Sequence, residues 1–239
     1  MAHEGTRTDE QHEVSGDRLV AFGAGPGVVS PEAQPAGRTA SARAKADRLS
    51  DLELARLCVE GDTAAQRTLF RLHRDRVHFV LYRILGSNHE IEDLVQDAFL
   101  AVFRSLRIFR GEATLGTWVD RITTRTAYRY LARRPRPTVH LEAVPPMPDE
   151  RTDTARRVYL REVARRLYGY LARMPAHYRI PYALHVIDGR PMREVAEMTE
   201  ASLTATKNRV WRARRRIEQR AKVDPLLGEF ISPSSRRRT

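Results

Sequence analysis

"PMREVAEMTEASLTATKNRVWRARRRIEQR", residues 191–220, decides the fold of its half of the chain. Pro191 opens a short helix, a position proline favours because no intrahelical bond is lost there. Val195, Ala196 and Met198 are spaced as the buried side of that helix. After a turn at 199–202, Leu203, Thr206, Val210, Ala213 and Ile217 recur on one face of a longer helix. The opposite face holds Asn208, Arg209, Arg212, Arg215 and Arg216. This is the layout of a helix-turn-helix, whose second helix sets its N-terminal residues in the major groove. Asn pairs there with adenine and Arg with guanine, while further cations hold phosphates. A basic amphipathic helix without base readout is the plainer alternative.

Upstream, Leu160, Val163, Ala164, Leu167, Leu171 and Met174 form a helical stripe, with Asp153 placed to cap its start. A further helix follows Pro175; Pro181 kinks it unless it falls in the first turn, and Gly189 can end it. Before this block, residues 135–152 carry prolines at 135, 137, 145, 146 and 148 and read as a linker. Fully extended, its span is about 60 Å. Residues 1–46, rich in Gly, Pro, Ala, Ser and Thr, read as a disordered extension. The chain is therefore expected to be all-α. It divides into a helical module at 47–134, the linker, a helix-turn-helix module at 153–223 and a flexible tail at 224–239.

Within the first module, Ile84 to Phe103 contains no Lys or Arg. Ile91, Leu94, Val95, Ala98, Phe99, Val102 and Phe103 fall on one helical face and are expected in the core. Glu90, Asp93, Gln96, Asp97 and Leu100 fall on the other. An outward Leu among carboxylates suits docking of a basic partner helix, and a solvated acidic face is the alternative. His89, Asp93 and Asp97 are spaced four apart, but no second acidic cluster completes a metal shell.

The stretch "FRGEATLGTWVDRITTRTAYRYLARR", residues 109–134, follows. With a helix from Trp118, Val119, Ile122, Thr126 and Tyr130 point inward, and Arg121, Thr124, Arg125, Tyr128 and Ala132 outward. Arg129 and Arg133 lie toward the inner flank. Arg107, Arg110, Gly111, Glu112 and Thr114 precede the helix in a polar loop. Basic groups with nearby aromatics suit a phosphate backbone and unpaired bases.

The 239 residues carry a formal charge of +12, which points to a polyanionic partner. No apolar run of ~18 residues spans a membrane, and the N-terminus lacks a secretory layout. A cytoplasmic location is expected. Cys58 is the only cysteine, so no internal disulfide or cysteine-based zinc site can form.

These residues resemble the bacterial sigma-70 initiation factors of the extracytoplasmic-function subgroup, over about residues 50–222. EIEDLVQDAFLAVFRSL resembles the family's segment for docking on the RNA polymerase β′ coiled coil, FRGEATLGTWVDRI its loop and helix for opening and reading the −10 element, and REVAEMTEASLTATKNRVWRARRRI its −35 reader. The resemblance implies −10 contacts from Arg107, Arg110, Thr114, Thr117, Trp118, Arg121, Arg125, Tyr128 and Arg129. It implies −35 contacts from Ser202, Thr204, Lys207, Asn208, Arg209, Arg212 and Arg215. Glu90, Asp93, Gln96, Asp97 and Leu100 would meet the polymerase. It further implies a contact with the β flap, an anti-sigma factor as in many relatives, no catalytic residues and no cofactor. The chain departs from the family pattern at Arg125, often Asn; at Glu200, usually Gly; at Ala205–Thr206, usually Thr-Val; and at Pro191, often Ser. The rival readings are a stand-alone helix-turn-helix regulator and a metal-dependent nucleic-acid enzyme built on His89, Asp93 and Asp97.

Overall fold

A computed structural model of the chain describes residues 50–86, 90–133 and 154–231. The regular structure among them is helical throughout. Residues 50–59 form α1. Then come α2 (Thr63–Leu85), α3 (Ile91–Ser105), a 3-10 turn (Leu106–Ile108) and α4 (Leu115–Arg133). The second half holds α5 (Thr154–Ala172), α6 (Ala176–Tyr182), a π-turn (Ala183–Ile187), α7 (Met192–Met198), α8 (Leu203–Ala221) and α9 (Pro225–Ile231). The expected extension 1–46, the linker 135–152, the Asp153 cap and His89 lie outside the described residues.

Short polar signals set the helix ends. Asp62 caps α2, its Oδ1 accepting from the amides of Ala64 at 2.7 Å and Ala65 at 3.1 Å. Gly86 ends α2 in the left-handed region at φ 70°, which glycine enters without a Cβ penalty. The helix expected from Trp118 starts earlier, because Asp51 accepts from the Leu115 amide at 2.7 Å and Thr114 Oγ1 from that of Thr117 at 3.2 Å. Ser202 caps α8 by accepting from the Ala205 amide at 3.2 Å. Pro191 proves to be the N-cap of α7 rather than its first residue, with extended backbone at ψ 142°.

Pro181 falls beyond the first turn of α6, where its missing N–H breaks the ladder. The chain then widens into the π-turn, with the Asp188 amide reaching Ala183 O at 2.9 Å. Gly189 ends this run at φ 74°, as expected. The flexible tail expected from residue 224 is corrected over its first part. Asp224 Oδ1 accepts from the Leu227 amide and from Arg166, and Leu227 and Phe230 of α9 are buried. An Asp cap followed by Pro225 and apolar residues three apart makes a helix start that the sequence reading passed over.

α2, α3 and α4 pack on one another, α8 packs against both α6 and α7, and α9 lies against α5 and α8. The two modules then pack together, α4 against α6 and α7 and the end of α2 against the π-turn. The cause lies in α2. Its last residues, Val80 to Leu85, are buried on every side, and apolar Val80, Leu81, Ile84 and Leu85 with Tyr82 need cover all round. α3 and α4 supply part of that cover and the second module the rest.

Polar groups close this interface. Arg179, 1% exposed, donates from Nε to Ile84 O at 3.0 Å and from Nη2 to Leu85 O at 3.1 Å. Tyr168 Oη donates to Arg83 O at 2.9 Å. Three of the carbonyls that a helix end leaves orphaned are thus taken by the other module. Burial pushes the Arg179 pKa down to about 10, so the guanidinium stays charged at neutral pH. Asp120 of α4, 1% exposed, accepts from Arg76 at 2.8 and 2.6 Å and from Arg190 of the second module at 3.0 Å. Arg190 also holds Asp188 at 2.6 Å and bonds Glu194. Burial works against the Arg190 charge, but Asp120, Asp188 and Glu194 outweigh it and hold the pKa above its ordinary value.

Two outcomes follow from this geometry. A Cβ at Gly86 would come within 2.2 Å of Tyr168 Cδ1 and occupy the left-handed region. Gly86→Val is expected to cost at least about 2 kcal/mol in urea unfolding, and Tyr168→Ala in the same chain should return only the steric part. Asp120→Ala strands a guanidinium in a buried site. A loss of roughly 3 kcal/mol is expected, at the low end for a broken buried pair because half-exposed Arg76 can turn to water.

Candidate nucleic-acid interface

The helix-turn-helix forms as the apolar spacing requires. Val195, Ala196 and Met198 of α7 and Thr206, Val210, Ala213 and Ile217 of α8 are buried, and α7 packs on α8. The turn between them holds Glu200 at φ 50°, the one non-glycine residue with positive φ among those described. That conformation costs an L-residue about 1 kcal/mol. Ala201 and Thr199 amides still close the end of α7, on Ala196 O and Val195 O at 3.0 Å each.

On the outer side of α8, Thr204, Lys207, Asn208, Arg212 and Arg215 are exposed, as is the capping residue Ser202. Arg209 is half-buried. Two aromatic residues passed over in the sequence stand among these cations. Trp211, 55% exposed, lies under Arg215 at 5.1 Å. Tyr178 of α6 bonds Arg212 at 3.3 Å and sits under Arg216 at 4.8 Å. The Arg212 bond, with Arg216 and Arg209 near, draws the Tyr178 pKa down. Trp211 was legible, since it falls between Asn208 and Arg215 on one helical face. Tyr178 was not, because a different helix brings it there.

The α4 side is less open than its periodicity implies. Arg107, Arg110 and Thr114 are exposed before the helix. Thr117 shares a hydrogen bond with Thr114 at 2.9 Å, and Trp118 packs against Phe109 with ring centres 5.4 Å apart and planes tilted by 58°. Val119, Ile122 and Thr126 are buried as expected, and Tyr130 is half-buried. Of the residues expected outward, only Arg125 and Ala132 are exposed; Thr124 is fully buried, and Arg121 and Tyr128 are half-buried. The second module covers them. Arg121 Nη2 lies 3.7 Å from Glu197, and Arg125 Nη2 lies 2.6 Å from Glu200. Burial raises the Tyr128 pKa, with Arg209 of α8 near enough to oppose it. Arg129 is exposed and donates to Thr126 Oγ1 at 3.0 Å.

The α3 face carries the opposite sign. Ile91, Leu94, Val95, Ala98, Phe99 and Val102 are buried as expected, with Phe103 packed against that core. Asp93, Gln96, Asp97 and Leu100 are exposed, Leu100 by 45%. Glu90 stands apart from them, since it accepts from the Tyr130 hydroxyl. Among the described residues no group of three His, Cys, Asp or Glu side chains is placed to hold a metal ion. No described helix is long and apolar enough to cross a membrane. Cys58 is buried and free, and burial raises its pKa.

Residues 69–136 match the family model for sigma-70 region 2, and residues 164–217 the model for sigma-70 region 4. The ECF RNA polymerase sigma-E factor of Haemophilus influenzae is 27% identical over 198 residues, covering 76% of this chain and 100% of that protein. Its Escherichia coli K12 namesake is 28% identical over 191 residues, 76% of this chain and 98% of that one. The ECF sigma factor SigE of Mycolicibacterium smegmatis is 30% identical over 164 residues, 66% of this chain and 63% of that one. The structure of CnrH in complex with the cytosolic domain of CnrY shares the fold, with a TM-score of 0.50 at 22% identity over 73% of this chain and 98% of that one. The two family models in order, and relatives matched along their length, agree with the helical architecture: the chain belongs to the sigma-70 family of RNA polymerase sigma factors, in the extracytoplasmic-function subgroup, whose members are not enzymes and serve in DNA-dependent transcription.

Proposed function

We propose that the chain docks on core RNA polymerase through the α3 face and directs initiation by reading two promoter elements. The module at 47–134 takes the polymerase and the −10 element; the module at 153–223 takes the −35 element. One observation supports this most. A single basic face on α8, carrying Lys207, Asn208, Arg212 and Arg215, stands behind a capped N-terminus, while α3 offers an acidic face with an exposed Leu100. Two surfaces of opposite sign suit two partners of opposite charge.

At the −35 element, Asn208 and Arg212 would face bases, and Lys207, Arg209 and Arg215 would hold phosphates, with Ser202 and Thr204 at the helix start. At the −10 element, Arg107 and Arg110 would line the loop, and Thr114, Thr117, Trp118, Arg121, Arg125, Tyr128 and Arg129 the path of the strand. Asp93, Gln96, Asp97 and Leu100 would meet the β′ coiled coil, with Glu90 at the edge of that contact. The β flap and an anti-sigma factor complete the proposed partners. A stand-alone operator-binding regulator leaves the α3 face without a use.

Mixing the full chain with core polymerase, followed by size exclusion and transcription in vitro, tests the reading; no co-migration by folded protein free of inhibitor would sink it. Asp97→Arg is expected to weaken polymerase binding about tenfold while DNA binding by α8 is kept. Selection of promoter fragments by the holoenzyme should return two elements. Arg212→Ala should relax the upstream one alone, at a cost of about 1–3 kcal/mol there.

A further inference from the structure

A residue outside the helix-turn-helix stands against its reading face. Tyr178 sits in the first turn of α6, its amide donating to Pro175 O at 2.9 Å. α6 packs on α8, with Ile180 and Tyr182 buried. The Tyr178 hydroxyl accepts from Arg212 Nη1 at 3.3 Å. Its ring lies under Arg216 at 4.8 Å and against His177, with ring centres 4.1 Å apart. Arg212 and Arg216 are four residues apart on α8, so one face of that helix offers both to a single phenol. We propose that Tyr178 is the positioning residue of the −35 reader: it holds Arg212 by Nη1 and leaves the Nε–Nη2 edge of the guanidinium free for a guanine. This deepens the proposed −35 contact and rests on the reading of Arg212 as a base-facing residue of α8.

The chemistry of a phenol suits that task. A guanidinium carries several N–H groups, and a guanine edge takes a parallel pair of them at N7 and O6. Tyr178 occupies Nη1, and among the described residues Nε and Nη2 of Arg212 meet no acceptor. An arginine loose on an exposed helix face spreads over many rotamers and loses that freedom on binding, whereas one fixed beforehand loses less. A carboxylate would also fix it, but would take its charge. The arginines of this module that carboxylates hold are Arg165, Arg166 and Arg190, and none of them is on α8. Tyr178 therefore orders Arg212 while its charge stays available to DNA. The face of the same ring steadies Arg216. The Arg212 bond first, then the charges of Arg212, Arg216 and Arg209, draw the Tyr178 pKa down against the effect of burial, as a phenol oxygen set among cations requires.

The test separates aim from affinity. Holoenzyme made from the full chain and core polymerase is titrated with its selected promoter duplex and with duplexes changed at each upstream base pair in turn. Tyr178→Phe keeps the ring under Arg216 and removes only the hydroxyl. It is expected to lower discrimination about three- to tenfold at the base pair that Arg212→Ala relaxes. Discrimination at the other positions, and helix content by circular dichroism, should be unchanged. Tyr178→Phe combined with Arg212→Ala should discriminate no worse there than Arg212→Ala alone, because the hydroxyl acts only through that side chain. Equal weakening on every duplex would make Tyr178 a phosphate contact or a packing residue, and overturns the inference. An unchanged Tyr178→Phe holoenzyme, or additive losses in the double variant, overturns it too. Arg212→Ala that relaxes no upstream position also overturns it, while the reading of two promoter elements stands. The free full chain gives a readout that needs no polymerase. NMR relaxation of the Arg212 Nε–H should report a rigid group that Tyr178→Phe makes mobile, and equal mobility in both chains overturns the inference. Polymerase that fails to bind removes the proposed function, and the relaxation difference then decides the positioning role alone.

Discussion

The carbonyl end of α2 is the point on which the arrangement of the two halves depends. A helix end leaves carbonyls without partners and carries partial negative charge. Here that end is buried, so water is not at hand to satisfy it. Arg179 and Tyr168 reach across from α6 and α5 and take Arg83 O, Ile84 O and Leu85 O. Burying a guanidinium is costly, and the cost is offset because the group meets the helix end and two carbonyls at once. Gly86 is what lets Tyr168 approach so closely. With that contact made, α6 and α7 have no choice but to lie along α4.

The placement of acids then takes on meaning. Two groups of them stand out in a strongly basic chain. Asp93 and Asp97 stand free on α3, available to another protein. Asp188, Glu194, Glu197 and Glu200 line the second module where it faces Arg76, Arg83, Arg121 and Arg125. The first group faces outward to solvent and the second inward across the contact between the modules. Neutral partners in the second place would leave like charges of the first module facing the cations of α8.

The helices themselves were legible from spacing. The core stripes of α3, α7 and α8 came out as read apart from half-buried Phe103 and Leu203, and so did the outward α3 face apart from Glu90. Errors arose where a distant residue decides. α4 starts before Trp118 because Asp51, far away in sequence, accepts from its first amide. Thr124 and Tyr128 have the right period to face solvent, and α4 alone would expose them. The α9 start was readable from Asp224 and Pro225 but was taken for a loose end. Arg125 and Glu200 each stood out in the sequence as a departure from relatives, without any sign that one pairs with the other.

The sequence by itself determined the helical class, the position of most helices, the helix-turn-helix, the sign of each surface and the family. All of these rest on local periods and on short motifs, and a period is complete within a few turns of chain. Only the tertiary structure decided that α4 lies against α6 and α7 of the second module, that Asp120 is shared between the halves, and that Arg121 and Arg125 face Glu197 and Glu200. Those facts turn on which surface covers which. An amphipathic pattern states that a face must be buried, but it does not name the partner that buries it.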